Sequence, residues 1–239
     1  MKILALDTAT RSCSVAVMNA GSLAAELITL NDETHSKHLM KLVRKVLGMA
    51  SLRVGELDGL AVTIGPGSFT GLRIGISSIK GMAHALDKPV VGISSLDALA
   101  WQCMDRSFLI CALLDARHGE VYSATYRFRD ETLTRISREE AITPIAAVEG
   151  IKEPCIFIGN GAALYRGDIT TKLGDCAYFA PEGQHIIRAS SVGFLSMQRF
   201  KTHDTIDVAG LVPRYLRKSD AELNLGKKSA RKGPETQKK

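Results

Sequence analysis

A chain of 239 residues is long enough for one large domain or two small ones, each with its own core. Apolar residues make up 45% and aromatics only 5%, which indicates a soluble globular protein with a core of Ala, Leu, Ile and Val. No run of about 18 apolar residues occurs, the apolar start before Asp7 is too short for a signal peptide, and five cysteines without a C-x-x-C pair argue against a disulfide or zinc scaffold, so a reducing cytoplasmic setting and no membrane partner are expected.

Ile3 to Leu6 reads as a strand ending at Asp7 and a polar turn, Asp7-Thr8-Ala9-Thr10-Arg11-Ser12. Cys13 to Val17 returns with alternation, and Asn19 to Ser22 supplies turn chemistry before a third strand from Leu23 to Leu30. The Asp7–Ser12 turn fits two roles. Its carboxylate, hydroxyls and backbone N–H groups suit a phosphate or a metal-bound water, and the same residues stabilise any tight turn.

A helix is predicted from Ser36 to Ala50, with Leu39, Leu42, Val43 and Val46 on one face. His35 and His38 at its start lack a third ligand and read as solvated helix-start residues. Gly59 to Ile64 is a buried-type strand, and Ser68 is placed to cap a helix reaching Leu86. Between them stands Gly65-Pro66-Gly67-Ser68-Phe69-Thr70-Gly71-Leu72-Arg73-Ile74-Gly75, which is neither a Walker loop nor G-x-G-x-x-G. Gly71 and Gly75, one turn apart, mark a face approached closely either by another subunit or by the chain's own sheet. Pro89 to Ile93 is a further strand, and a helix starts at Ser95.

A second unit opens near Phe108. Leu109 to Leu114, the turn Asp115-Ala116-Arg117-His118-Gly119 and Val121 to Phe128 repeat the strand–Asp–turn–strand order of the first unit, 108 residues later. Asp115, Arg117 and Glu120 either face a cleft between the units or form a plain hairpin turn. Ile156 to Ile158, Ser190 to Phe200 and Val212 to Arg217 read as strand, helix and extended end. From Gly226 to Lys239 six basic residues and one acid give a net +5, leaving about +1 of the total +6 on the rest. That tail, with the boundary set at 223–239, reads as disordered, either a solubilising end or an RNA-phosphate contact.

Six segments, ILALDTATRSCSVAV at 3–17, GLAVTIGPGSFTGLRIGISSIKGMAHAL at 59–86, VVGISSLDALA at 90–100, LLDARHGEVYSATY at 113–126, FIGNGAALY at 157–165 and PRYLRKSDAE at 213–222, resemble the TsaB family, also called YeaZ. The resemblance implies an α/β, actin/Hsp70-like (ASKHA) duplicated two-lobe fold, with mixed sheets covered by helices. The lobes are expected at 1–105 and 106–222, followed by a basic tail at 223–239. It also implies a non-catalytic partner of the machinery that transfers threonylcarbamoyl from threonylcarbamoyl-AMP to N6 of adenosine 37 in tRNA. A TsaD-type catalytic subunit, a TsaE-type ATPase and tRNA held through the complex are the implied partners. A homodimer is expected when the partner is absent. No cofactor is expected on this chain, with metal and ATP on the partner subunits.

TsaD-type proteins carry N-H-x-x-x-H where this chain has Ser95 and Leu99, neither a fit replacement for a metal-binding histidine. The resemblance places the partner interface on the first lobe's two helices, at Leu39, Leu42, Val46, Gly71, Arg73, Gly75, Ile76, Ile79, Lys80 and Ala83. A vestigial nucleotide cleft would take Asp7, Thr8, Thr10, Ser12, Asp115, Arg117 and Glu120. A stand-alone ASKHA nucleotide hydrolase or phosphotransferase and a glycoprotease-like metallopeptidase are the alternative readings.

Overall fold

The computed structural model describes residues 1–30, 35–104, 107–130 and 132–217; the basic tail expected at 223–239 lies outside them. Strands β1 (Lys2–Asp7), β2 (Ser12–Asn19) and β3 (Ser22–Leu30) form an antiparallel meander. Ala20 and Gly21, both at positive φ, make the tight turn between β2 and β3. The chain then crosses over through helix α1 (His35–Met49) to β4 (Gly59–Gly65), parallel to β1. A second crossover through α2 (Phe69–Leu86) leads to β5 (Val90–Ser94), parallel to β4. The sheet order is β3-β2-β1-β4-β5.

The second half repeats this scheme. Strands β6 (Leu109–Arg117), β7 (Glu120–Arg129) and β8 (Thr132–Arg135) are antiparallel neighbours. Two later strands, β10 (Cys155–Ile158) and β11 (Ala177–Phe179), add in parallel beside β6. Counted within the half and leaving out a short strand that lies off this path, the order β8-β7-β6-β10-β11 is again third-second-first-fourth-fifth. The expected duplication is therefore a duplication of topology as well as of the Asp-turn motif. A short extra strand, β9 (Glu140–Ile142), pairs with β7. Helices α4 (Pro144–Val148), α5 (Asn160–Leu164) and α6 (Arg166–Leu173) lie in the second half, where they contact β7, β6 and β11.

Strands β8, β9 and β11 and helices α4, α5 and α6 are not foreseen from sequence. Each is short, and α6 buries only Ile169, so neither period of apolar residues is long enough to read.

The helices that close the two halves both reach the first sheet. Helix α3 (Ser95–Ala100) sits between the sheets, touching β4 and β5 of the first and β6, β7 and β8 of the second. Helix α7 (Ala189–Lys201), in the segment expected to belong to the second lobe, packs on β1, β2, β4 and β5. Met18 seats against Gly193, and the ring of Phe200 abuts Gly59, where side chains would block the approach. An apolar helical stripe shows that a face is buried; it does not say on which sheet. The result is one continuous core through both sheets, α3 and α7, and a smaller one on the outer face of the second sheet. Strand β6 serves both by alternation: Ile110, Ala112 and Leu114 face the large core, Leu109, Cys111 and Leu113 the small one.

Residues 206–217 run back across the first lobe. Ile206 bridges to Val90, Lys80 donates from Nζ to the Ala209 carbonyl at 3.1 Å, and the Arg214 N–H donates to the Ile64 carbonyl at 2.7 Å. Tyr215 stacks on Phe69 with ring centroids 4.2 Å apart and accepts a hydrogen bond from Arg73 Nε at 3.1 Å.

Candidate functional site

Both Asp-turns use the same local bond. Asp7 Oδ1 accepts from the Ala9 N–H at 3.1 Å, and Asp115 Oδ1 accepts from the Arg117 N–H at 2.8 Å. Their surroundings differ. Asp7 is fully buried and also accepts from the Thr63 hydroxyl at 2.7 Å, while Oδ2 has no partner among the described residues. Burial pushes its pKa up to about 7, against the lowering effect of the Thr63 hydroxyl and of the Ala9 and Thr8 backbone groups. Thr8 is equally buried, and its hydroxyl donates to the Gly71 carbonyl at 2.7 Å. Thr10 and Ser12 share a hydroxyl–hydroxyl bond of 2.8 Å.

The structure does not unite all seven expected cleft residues. A cleft of about 370 Å³ has Thr10, Arg11, Ser12 and Leu30 on its first-lobe side, and Asn160, His185 and Ile186 opposite. Asp7 and Thr8 are buried beneath the turn and do not line it. Asp115, Arg117 and Glu120 belong to a separate hairpin, closed at positive φ by Arg117, His118 and Gly119 and braced by Arg217, which reaches Glu120 at 3.3 Å and the Ala116 carbonyl at 2.9 Å. His35, expected to be solvated, bonds from Nε2 to the Thr10 carbonyl at 2.8 Å and ties the start of α1 to the first turn.

Most of the residues expected at a partner face lie inside the chain itself. Leu39, Leu42, Val46, Ile76, Ile79 and Ala83 are core residues of α1 and α2. A Cβ on Gly71 would collide with the Thr8 carbonyl oxygen, and one on Gly75 with the Thr8 hydroxyl. Both glycines therefore serve close packing of α2 on the chain's own turn, the second of the two explanations open from sequence. Arg73 and Lys80 reach outward but hold residues 209 and 215 of the same chain. Periodicity gives one apolar face per helix, and here the sheet takes it. What α1 and α2 turn to solvent is a different set: Lys37, Met40, Lys41, Arg44, Lys45 and Met49 on α1, and Ser77, Gly81, His84 and Ala85 on α2. The two helices hold four lysines and two arginines and no acid. A Cβ on Gly48 or Gly81 would meet nothing within 4 Å.

At the start of α3 the Ser94 hydroxyl caps the helix, accepting from the Leu96 and Asp97 N–H groups. Ser95 and Leu99 are fully buried, the Ser95 hydroxyl without a partner among the described residues and Leu99 in the continuous core beside Gly159. Over this helix start lies a network that sequence reading missed. Glu139, with its side chain 2% exposed, accepts from Ser94 Oγ at 2.6 Å and pairs with Arg135 at 2.8 Å and with Arg214. Arg135 also bonds Asp97 at 2.6 Å. Its members come from the end of β5, α3, the end of β8, the loop after it and the C-terminal segment, so no local spacing announces it. His185 and Asn160 went unnoticed for the same reason. Among the described residues, no three His, Cys, Asp or Glu side chains are grouped to hold a metal ion, and no helix is long and apolar enough to cross a membrane.

The family model described as TsaD, tRNA N6-adenosine threonylcarbamoyltransferase, matches residues 29–225. A Bacillus subtilis protein named tRNA threonylcarbamoyladenosine biosynthesis protein TsaB is 33% identical over 225 residues, covering 93% of this chain and 96% of its own length. A Haemophilus influenzae protein of the same name is 29% identical, covering 91% and 94%. The solved structure of YeaZ from Pseudomonas aeruginosa has a TM-score of 0.79 at 27% identity, covering 90% of this chain and 99% of that one. Component A of (R)-2-hydroxyglutaryl-CoA dehydratase from Acidaminococcus fermentans, at 11% identity and a TM-score of 0.51, shares the fold alone. With the doubled sheet order, these likenesses define an actin/Hsp70-like α/β architecture.

Proposed function

The chain belongs to the TsaB (YeaZ) family, and from that premise we propose that it serves tRNA threonylcarbamoyladenosine synthesis as a partner subunit without transfer chemistry of its own. The observation that carries the second half of this reading is the start of α3. Ser95 and Leu99 stand at the positions where TsaD-type proteins place a histidine pair, and here both are sealed inside the core. Leu99 has no lone pair to offer an ion, and the Ser95 hydroxyl is shut away from solvent. Over the helix start lies the Glu139–Arg135–Arg214 network, in which Arg135 also pairs with Asp97. Metal, ATP and the acyl transfer then belong to the other subunits, a TsaD-type transferase and a TsaE-type ATPase, with tRNA held through the assembly in the cytoplasm.

The partner surface in this reading is the outward side of α1 and α2. Small side chains at Ser77, Gly81 and Ala85 permit a close helix approach, Met40 and Met49 supply adaptable apolar area, and the positive charge of the two helices calls for an acidic counterpart. In the absence of the transferase the same face would support a homodimer.

The test is co-purification of the full chain with a TsaD-type subunit, followed by mass spectrometry of tRNA nucleosides after depletion. Gly81→Trp, which points into open space, should abolish the complex while leaving the melting temperature of the free chain unchanged. An undiminished complex would remove this surface from the reading; unchanged threonylcarbamoyladenosine after depletion would remove the reading itself.

A further inference from the structure

The cleft between the Thr10–Ser12 turn and the segment leading into α7 has polar groups that the partner role does not use. His185 is 5% exposed and borders it. Its Nδ1 accepts the Gly159 N–H at 3.1 Å, so the neutral ring carries its proton on Nε2, and that buried N–H has no partner among the described residues. An orphaned buried donor is costly unless something arrives to accept from it.

Its neighbours offer more donors. Asn160 Oδ1 accepts from the Asp115 N–H at 3.1 Å, which leaves the amide NH2 group for other use. Thr10 and Ser12 satisfy each other with one hydroxyl proton and keep a second. Arg11 stands at the first-lobe rim, and among the described residues none of the lining side chains is acidic. Leu30, 68% exposed, and Ile186 give the cleft an apolar edge. These positions are held firmly. Gln102 Nε2 donates to the Ile186 carbonyl at 2.9 Å, and Ser14 Oγ donates to the Ile187 carbonyl at 3.1 Å.

We propose that this cleft binds a small molecule bearing one oxyanion, a carboxylate or a phosphate monoester, on a short apolar arm. The oxyanion accepts from His185 Nε2, the Asn160 amide and one hydroxyl of the Thr10–Ser12 pair, while Leu30 and Ile186 hold the arm. The volume of about 370 Å³ suits a small ligand. The Asp115–Glu120 hairpin, which in a two-loop site would receive further phosphates, is outside the lining and braced by Arg217.

The site is tested on the full free chain with inorganic phosphate, propyl phosphate, isobutyrate and AMP as probes, read by calorimetry and by the nitrogen resonances of the His185 ring. His185→Asn keeps an acceptor for the Gly159 N–H and deletes the outer donor, so the fold is retained while the hydrogen bond to the oxyanion disappears. Saturable binding at or below about 1 mM, with a shift of the His185 Nε2 signal and a loss of about tenfold or more in His185→Asn, supports the site. Propyl phosphate and isobutyrate then report which oxyanion is preferred. Leu30→Ala should weaken both while leaving inorganic phosphate unchanged. No saturation by any probe, or equal affinity in wild type and His185→Asn, overturns the proposal. AMP binding about tenfold or more above propyl phosphate overturns the short apolar arm, since the cleft would then be holding a base.

Discussion

The hydroxyl of Thr8 donates to the carbonyl of Gly71 at 2.7 Å, joining the turn after β1 to the first turn of α2 across 63 residues of sequence. The approach is close enough that neither Gly71 nor Gly75 has room for a Cβ. Their obstacles are different in kind. Gly71 faces the Thr8 backbone oxygen, and Gly75 faces the Thr8 side chain. Gly71→Ala and Gly75→Ala should each destabilise the fold by about 1–3 kcal/mol in urea unfolding, as overpacking of a tight contact does. Thr8→Ala should recover much of the loss in Gly75→Ala and little of that in Gly71→Ala, a coupling readable in a double-mutant cycle.

Asp7 gives the fold a pH dependence of defined sign. Its folded pKa of about 7 lies above the unfolded value of 3.8, so the native state retains a proton that the unfolded chain gives up. The contribution is fully present below about pH 4, falls as pH rises, and reaches its low plateau above about pH 7. Asp7→Asn keeps an acceptor for Thr63 and Ala9 and removes the ionisation. Its melting temperature should exceed that of the wild type at pH 8 and lose the advantage at pH 5. A wild-type curve whose slope between pH 4 and 7 survives in Asp7→Asn would assign the dependence elsewhere.

Arg214 faces a nearly sealed carboxylate. Arg214→Ala should cost about 1–3 kcal/mol, because the buried Glu139 carboxyl loses one of its two guanidinium partners and keeps Arg135. Glu139→Gln in the same background should restore part of it. The readout is chemical denaturation of the single and double variants.

The outward charge of α1 and α2 implies a salt-sensitive association. Lys41→Glu with Arg44→Glu should reduce the association rate with an acidic partner surface by about tenfold at low ionic strength, and less at high salt. Stopped-flow association across a salt series checks this. The free chain's stability should hardly move, since both positions are exposed.

Thiol chemistry separates the cysteines. Burial pushes the thiols of Cys13 and Cys111 up to about 12 and that of Cys155 still higher, whereas Cys176 is half-buried. A thiol reagent should modify Cys176 in the native chain and reach the other four only on unfolding, as counted by intact-mass spectrometry.

The element order of the first half, the Ser68 cap, the echo of Asp7 in Asp115 and the family were all legible in the linear chain. Each is a local or periodic signal: alternation in β1 and β2, three-four spacing in α1, a turn residue after each strand. Where those signals point is a matter of tertiary structure. Gly71 and Gly75 announced a close approach, and only the folded chain shows Thr8 as the group approached. Leu39 and Ile79 announced buried faces, and the sheet, not a partner, covers them. Helix α7 was legible as a helix, yet its place on the first sheet depends on shape matched between Gly193 and Met18 and between Phe200 and Gly59, pairs that lie in opposite halves of the chain. The cleft residues His185 and Asn160, and the Glu139 network, join positions from separate elements. A sequence records such partners only as isolated polar residues, because their chemistry comes from distance in space and from the exclusion of water.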